Sequence, residues 1–166
     1  ALFRRINGEL VANLGNFIHR TLSFIYNNFE GKVPRQGKYE KDSSDFENKI
    51  RLISKKIAPF MENFQFDKAL NEILEFSAAG NQYFQKKEPW KTKDKTCLYL
   101  CANAVRSLAI LLQPFIPFAA DNLWKQLNLE GNAEDNTWGS ASELSIKSGH
   151  KINKPEILFR KIETIK

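Results

Sequence analysis

Apolar residues return every three or four positions along most of this chain, so it reads as a series of amphipathic helices. From about Leu2 to Phe29 the inward positions are Phe3, Ile6, Leu10, Leu14, Phe17, Thr21, Phe24 and Ile25. Val11, Leu22 and Tyr26 widen that arc, which predicts a first helix at the centre of a bundle, ended by Gly31 and Pro34. Residues 31–43 are polar and basic and read as a loop. A second helix is predicted from about Ser44 to Glu62, with Phe46, Ile50, Ile53 and Ile57 on one face and Pro59 placed to kink or shorten it. A third runs from about Phe66 to Lys87 on Ala69, Leu70, Ile73, Leu74, Ser77 and Tyr83, with Asp67 in its first turn, where a carboxylate suits the helix dipole. A fourth, from about Lys93 to Leu112, turns Leu98, Cys101, Val105, Leu108 and Leu112 inward and stops at Pro114. Pro117 opens a fifth, reaching Asn128, on Ala120, Leu123, Trp124 and Leu127.

After the fifth helix the periodicity fails. Residues 130–142 read as a loop. Residues 143–166, with Pro155, Ile157, Leu158, Phe159 and Ile162, are too short for a second core and read as an extended segment that packs back on something. There is no sustained period-two alternation, internal repeat or low-complexity tract. The expected fold class is all-α, a bundle of about five helices over residues 1–128 with an irregular C-terminal tail over residues 129–166.

Composition narrows the picture. The chain has 166 residues, 42% of them hydrophobic, including 13 Phe and 3 Trp, enough for a sizeable core. It opens Ala1-Leu2-Phe3-Arg4-Arg5, already in helical period and without an initiator Met, and so reads as a piece of a longer protein. The net charge of +6 favours an anionic partner without naming one. Cys97 and Cys101, four apart in an apolar pattern, read as buried small hydrophobes. A metal site would need further ligands, and His19 and His150 lie far away in sequence. So few cysteines make no disulfide framework and fit a reducing, cytoplasmic compartment. No signal peptide is evident, and no apolar run approaches the roughly 20 residues of a membrane span.

No catalytic constellation stands out: no phosphate-cradling Gly-rich loop, no Ser/His/Asp or Cys/His grouping, no metal-ligand cluster. Glu72 and Glu75 read as solvated charges on a helix face. The chain is expected to bind rather than catalyse. Trp90 is the most informative residue, in the run Gln85-Lys86-Lys87-Glu88-Pro89-Trp90-Lys91-Thr92-Lys93. A ring in a lysine-rich turn suits stacking on an unpaired base, with Lys86, Lys87, Lys91 and Lys93 near the phosphates. It also suits a staple between two helices. Asn16 and Arg20 lie about 40° apart on one helix face, with Arg5, Glu9 and Asn27 on the same stripe. An amide beside a guanidinium fork can meet the Watson–Crick edge of a base; the same stripe is equally the solvated face of a helix. His19 reads as surface or packing.

Four blocks resemble the anticodon-binding helix bundle of the methionyl-tRNA synthetase family. They are Asn13-Leu14-Gly15-Asn16-Phe17-Ile18-His19-Arg20, Asn81 to Trp90 with its Pro-Trp end, Leu111 to Pro117 followed by Leu123-Trp124, and Gly149 to Pro155 with Leu158-Phe159 and Lys161-Ile162-Glu163. The first and third blocks are shared with the valyl, isoleucyl and leucyl relatives; the second and fourth point to the methionyl family. The resemblance spans nearly the whole chain. It implies that the bundle reads the CAU anticodon of methionine-accepting tRNA, with Asn16 and Arg20 contacting the first anticodon base and Trp90 stacking on it. It implies a catalytic half elsewhere in the parent chain, against which residues 129–166 could also pack. ATP, magnesium and zinc are then expected only for the parent enzyme, and no cofactor, metal or membrane for this piece. A sister synthetase domain and a general basic RNA-binding module are the competing expectations.

Overall fold

The computed structural model describes residues 8–158. Leu2, Phe3, Arg5 and Ile6, expected in the first helix, and Phe159, Lys161, Ile162 and Glu163, expected in the tail, lie outside that span. The described residues form α1 (Gly8–Asn28), α2 (Lys41–Glu62), α3 (Phe66–Lys87), a single turn α4 (Pro89–Thr92), α5 (Lys95–Leu112) and α6 (Pro117–Gln126), then two 3₁₀ turns at Ala133–Asp135 and Trp138–Ser142. The all-α reading holds. The one β feature among the described residues is an isolated antiparallel bridge between Lys32 and Lys151.

Local chemistry explains the boundaries. Gly31, at φ +74°, turns the chain out of α1, and its N–H donates to Ile25 O at 3.2 Å. α2 starts three residues earlier than expected, with Asp42 in its first turn. Pro59 does not shorten it, because it sits in the last turn and its carbonyl accepts from both the N–H and the side chain of Asn63. α3 begins and ends as predicted. The predicted fourth helix starts two residues later than expected, and a separate turn, α4, precedes it. Lys93 takes a left-handed conformation at φ 56°, and Asp94 caps a new helix by accepting from Cys97 N at 3.0 Å.

The centre of the bundle is α5, not α1. Every α5 residue from Thr96 to Leu112 is buried, including Asn103, Arg106 and Ser107. α1 keeps an exposed face at Glu9, Ala12, Asn16, His19 and Tyr26. The apolar period gives α5 only five inward positions, yet it is enclosed all round. By length and composition it is also apolar enough to cross a membrane, contrary to the sequence reading, but 94% of it is buried inside this protein. Such burial marks the core helix of a folded domain.

The tail explains how α5 can carry polar groups inward. Asn103 Oδ1 accepts from Ile146 N at 2.8 Å while its Nδ2 donates to Tyr99 O and Ile146 O. Arg106 donates to Ser140 O at 2.8 Å and Glu143 O at 3.3 Å. Ser107 donates to Ala141 O. Each group that burial would otherwise strand has a partner from the tail. Further on, the N–H groups of Val33, Gly149 and Ile152 zip the tail to the loop after α1, accepted by His150, Val33 and Gly31 carbonyls at 2.7–2.8 Å.

α1 and α3 approach closely at Gly80. A Cβ built there would stand 2.6 Å from Phe17 Cζ, a separation real side chains do not reach. Glycine therefore lets the ring of Phe17, fully buried, seat against the α3 backbone. The next residue, Asn81, faces the site.

Candidate nucleic-acid interface

The site lies where the end of α3 and the turn α4 meet the exposed face of α1. Pro89 opens α4 after Glu88, which is left-handed at φ 47°. Thr92 Oγ1 donates back to the carbonyls of Lys87 and Glu88 at 3.0 and 3.2 Å, closing the turn. Trp90 stands on it, 39% exposed. Its ring centroid is 6.1 Å from that of Phe84, at 32°. Arg20 reaches over from α1. Its Cζ sits 4.7 Å from the Phe84 centroid and 5.6 Å from that of Trp90. Arg20 donates to Asn81 Oδ1 and Gln85 Oε1, both at 3.0 Å. Beside this stack opens a recess of about 260 Å³, lined by Arg20, Ser23, Phe24, Asn27, Asn28, Phe84 and Trp90.

Arg20 and Trp90, predicted from positions 70 residues apart, are thus in contact. Asn16 is exposed one helical turn before Arg20 and outside the recess lining. Phe24 fits the apolar period of α1 and is expected in the core; its ring instead borders the recess, with Lys93 Nζ 5.4 Å from its centroid. Phe84 gives no signal of its own in the sequence, being one apolar residue at the end of an apolar helix. Asn27 is legible as part of the stripe but not as a wall of a recess.

The four lysines separate. Lys93 lies at the recess, donating to Asn28 Oδ1 at 3.3 Å. Lys86 and Lys91 have side chains 71% and 69% exposed, near Asp42 at 3.7 Å and Glu88 at 3.0 Å respectively. Lys87 must be corrected: its side chain is only 9% exposed and points inward to Asp42 at 2.8 Å, Glu40 at 3.2 Å and Asp94 at 3.9 Å. One residue's rotation on a helix is about 100°, enough to turn Lys87 from the face Lys86 occupies. Burial pushes the Asp42 carboxyl up, but the hydrogen bond and charge of Lys87 outweigh it and hold Asp42 below the ordinary carboxylate value. Burial likewise pulls Lys87 down, and Asp42 and Glu40 more than restore it, to above the ordinary lysine value. This cluster joins the start of α2, the end of α3 and the cap of α5, and so fixes the base of the Pro-Trp turn.

Among the described residues no three His, Cys, Asp or Glu side chains gather as a metal site. Cys97 and Cys101 are both buried, with sulfurs 4.0 Å apart, and burial pushes the Cys101 thiol well up, away from nucleophilic use. What the recess offers is a half-exposed indole face, a guanidinium with N–H groups to spare among its five, and amides on α1.

Known proteins share the sequence and fold of this chain. Residues 33–165 match the model of the anticodon binding domain of methionyl tRNA ligase. The chain is 40% identical over 164 residues to a methionine–tRNA ligase of Methanopyrus kandleri, covering 95% of this chain and 24% of that one, and 38% identical over 164 residues to one of Pyrococcus abyssi, covering 95% and 22%. It therefore spans about a quarter of the length of these relatives. The apo crystal structure of Mycobacterium tuberculosis methionyl-tRNA synthetase superposes with a TM-score of 0.81 over 93% of this chain and 33% of that one, at 25% identity. A helical bundle whose residues 33–165 match that family model, and which overlays a synthetase over 93% of its own length, is an anticodon-binding domain. Within that class, the chain belongs to the methionyl tRNA ligase anticodon-binding family.

Proposed function

We propose that this domain recognises the CAU anticodon of methionine-accepting tRNA within a longer methionine–tRNA ligase. The observation that carries the reading is the exposed Trp90 face beside Arg20, at the mouth of a recess walled by α1 amides. The first anticodon base stacks on Trp90, while Arg20 and Asn16 meet its Watson–Crick edge. Stacking tolerates any base and supplies affinity, whereas the polar pair supplies discrimination, because a mismatched edge leaves desolvated donors unpaired. Lys86, Lys91 and Lys93 provide the salt-dependent phosphate contribution. Methionine, ATP, magnesium and zinc serve the catalytic part of the parent.

The test is binding of labelled anticodon stem-loops to the 166-residue chain at fixed salt, with loops differing only at the first anticodon base. The reading expects a CAU loop to bind more tightly than its U and G variants. Equal affinity for all loops would instead make this a general basic RNA-binding module. No binding to any loop would defeat both.

A further inference from the structure

We propose that Asn81 is a positioning residue that, together with Gln85, orients Arg20 without neutralising it. The inference rests on the reading that Arg20 faces a base. A guanidinium only donates, so the Asn81 atom 3.0 Å from Arg20 must be the carbonyl oxygen Oδ1. That forces Nδ2 to the other side, where it donates to Asn13 Oδ1 at 3.1 Å. Each amide in the chain thereby has only one workable orientation. Gln85, one turn along α3, receives the second terminal nitrogen of Arg20 at 3.0 Å. Phe84 covers one face of the guanidinium at 4.7 Å. Two anchors and a ring floor hold an arginine that would otherwise sample many rotamers.

The anchors are neutral. Among the described residues no carboxylate pairs with Arg20, although ion pairs form around Lys86, Lys87 and Lys91 close by. A carboxylate at position 81 would orient Arg20 as well, yet would cancel the charge that an RNA loop meets. Amides separate the two effects: geometry is fixed and the positive charge stays available.

Three variants on the 166-residue chain test this, with C- and U-loop affinities, salt dependence and melting temperature measured for each. Asn81→Ala is expected to narrow the C-over-U preference about fivefold to tenfold, the fold-change of one ordinary hydrogen bond lost. Asn81→Asp is expected to keep most of that preference but to weaken every loop and reduce the slope of log affinity against log salt by about one. Trp90→Ala is expected to weaken all loops alike. Arginine side-chain NMR adds a readout free of RNA: rotation about the Arg20 Nε–Cζ bond is hindered in the parent chain and faster in Asn81→Ala. If Asn81→Ala does not fold, Asn13→Ala frees the same amide and is expected to give a smaller loss in the same direction. Should Asn81→Ala, or in its place Asn13→Ala, keep the full preference while Trp90→Ala loses binding, the clamp is wrong and the site reading stands. Should Trp90→Ala bind like the parent chain, the site reading falls and takes this inference with it. An Asn81→Asp variant that binds as tightly as the parent would refute the role assigned to neutrality.

Discussion

Among the described residues two arginine–tryptophan pairs stand out, and they have opposite lives. Arg106 sits 6.0 Å from the ring of Trp124, and Arg20 sits 5.6 Å from that of Trp90. Arg106 is 5% exposed and Trp124 4%; Trp90 is 39% exposed. Arg106 donates to backbone carbonyls of the tail, and the Trp124 indole donates to Glu130 O at 3.0 Å. Burial pulls the Arg106 guanidinium below its ordinary value. Arg20 instead donates to side-chain amides at an open recess. The residue types are the same, so type does not assign function. Backbone partners and burial make the first pair a rivet between α5, α6 and the tail. Side-chain partners and an open face make the second pair a contact surface.

The strongest way to break this comparison is to truncate both tryptophans. Trp124→Ala should lower unfolding stability by about 3–5 kcal/mol, whereas Trp90→Ala should lower it by less than about 1 kcal/mol, both read from urea melts. Equal losses would mean that Trp90 is a helix staple after all. Leu108→Ala, in the enclosed α5, should fall in the range of roughly 2–5 kcal/mol and serves as the core reference.

Binding sharpens the contrast next. Trp90→Ala should weaken every stem-loop by about 1–3 kcal/mol, the contribution of one stacked base. A Trp124 variant mild enough to fold, such as Trp124→Phe, should bind the loops unchanged. Loss of binding in Trp124→Phe without loss of fold would contradict the division of roles.

The Lys87 cluster tests whether the base of the turn is structural. Asp42→Asn should lower stability by about 1–2 kcal/mol near neutral pH, between the values for exposed and fully buried pairs. Asp42 is depressed in the fold, so its contribution is present above the ordinary carboxylate range and lost as pH falls through the folded value. Lys87 is raised, so its contribution is present below the ordinary lysine value and lost as pH rises through the folded one. Stability of the parent chain should therefore fall at both extremes, and Asp42→Asn should flatten the acid side. The smallest effect belongs to the exposed cations. Lys93→Ala should reduce the salt slope of RNA binding by about one, and Lys87→Met should leave it unchanged. A larger slope change for Lys87→Met would return that residue to the RNA face.

Much of the fold is legible in the sequence because α2 and α3 each bury one stripe, and a stripe is visible in a single helix. The inner residues Phe46, Ile50, Ile53 and Ile57, or Leu70, Ile73 and Leu74, are all buried as their spacing predicts. The enclosure of α5 is not legible, because it depends on tail residues 140–146, some 34–43 positions away, which satisfy Asn103, Arg106 and Ser107. Periodicity has no access to such partners. At the site, Trp90 is visible because an aromatic after a helix-ending proline has no local reason to be buried. Asn81 is visible only as a letter in a run; its role arises from contacts 61 and 68 positions distant. Lys87 is hidden in a lysine-rich stretch because charge counting ignores direction.

The seating of Phe17 on Gly80 carries a consequence for how such a chain can drift over generations. Position 80 cannot acquire a side chain while Phe17 keeps its ring, since the new Cβ would fall 2.6 Å from it. Nor does shrinking Phe17 alone escape penalty, for it leaves a void in the seam. The two positions should therefore change together or not at all. A descendant carrying Gly80→Ala should show a smaller residue at position 17, and Asn81 in such a lineage should shift its distance to Arg20 unless a compensating change arises on α1. An alignment of descendants in which position 80 varies freely beside an unchanged Phe17 would show that the seam yields more than its present packing implies.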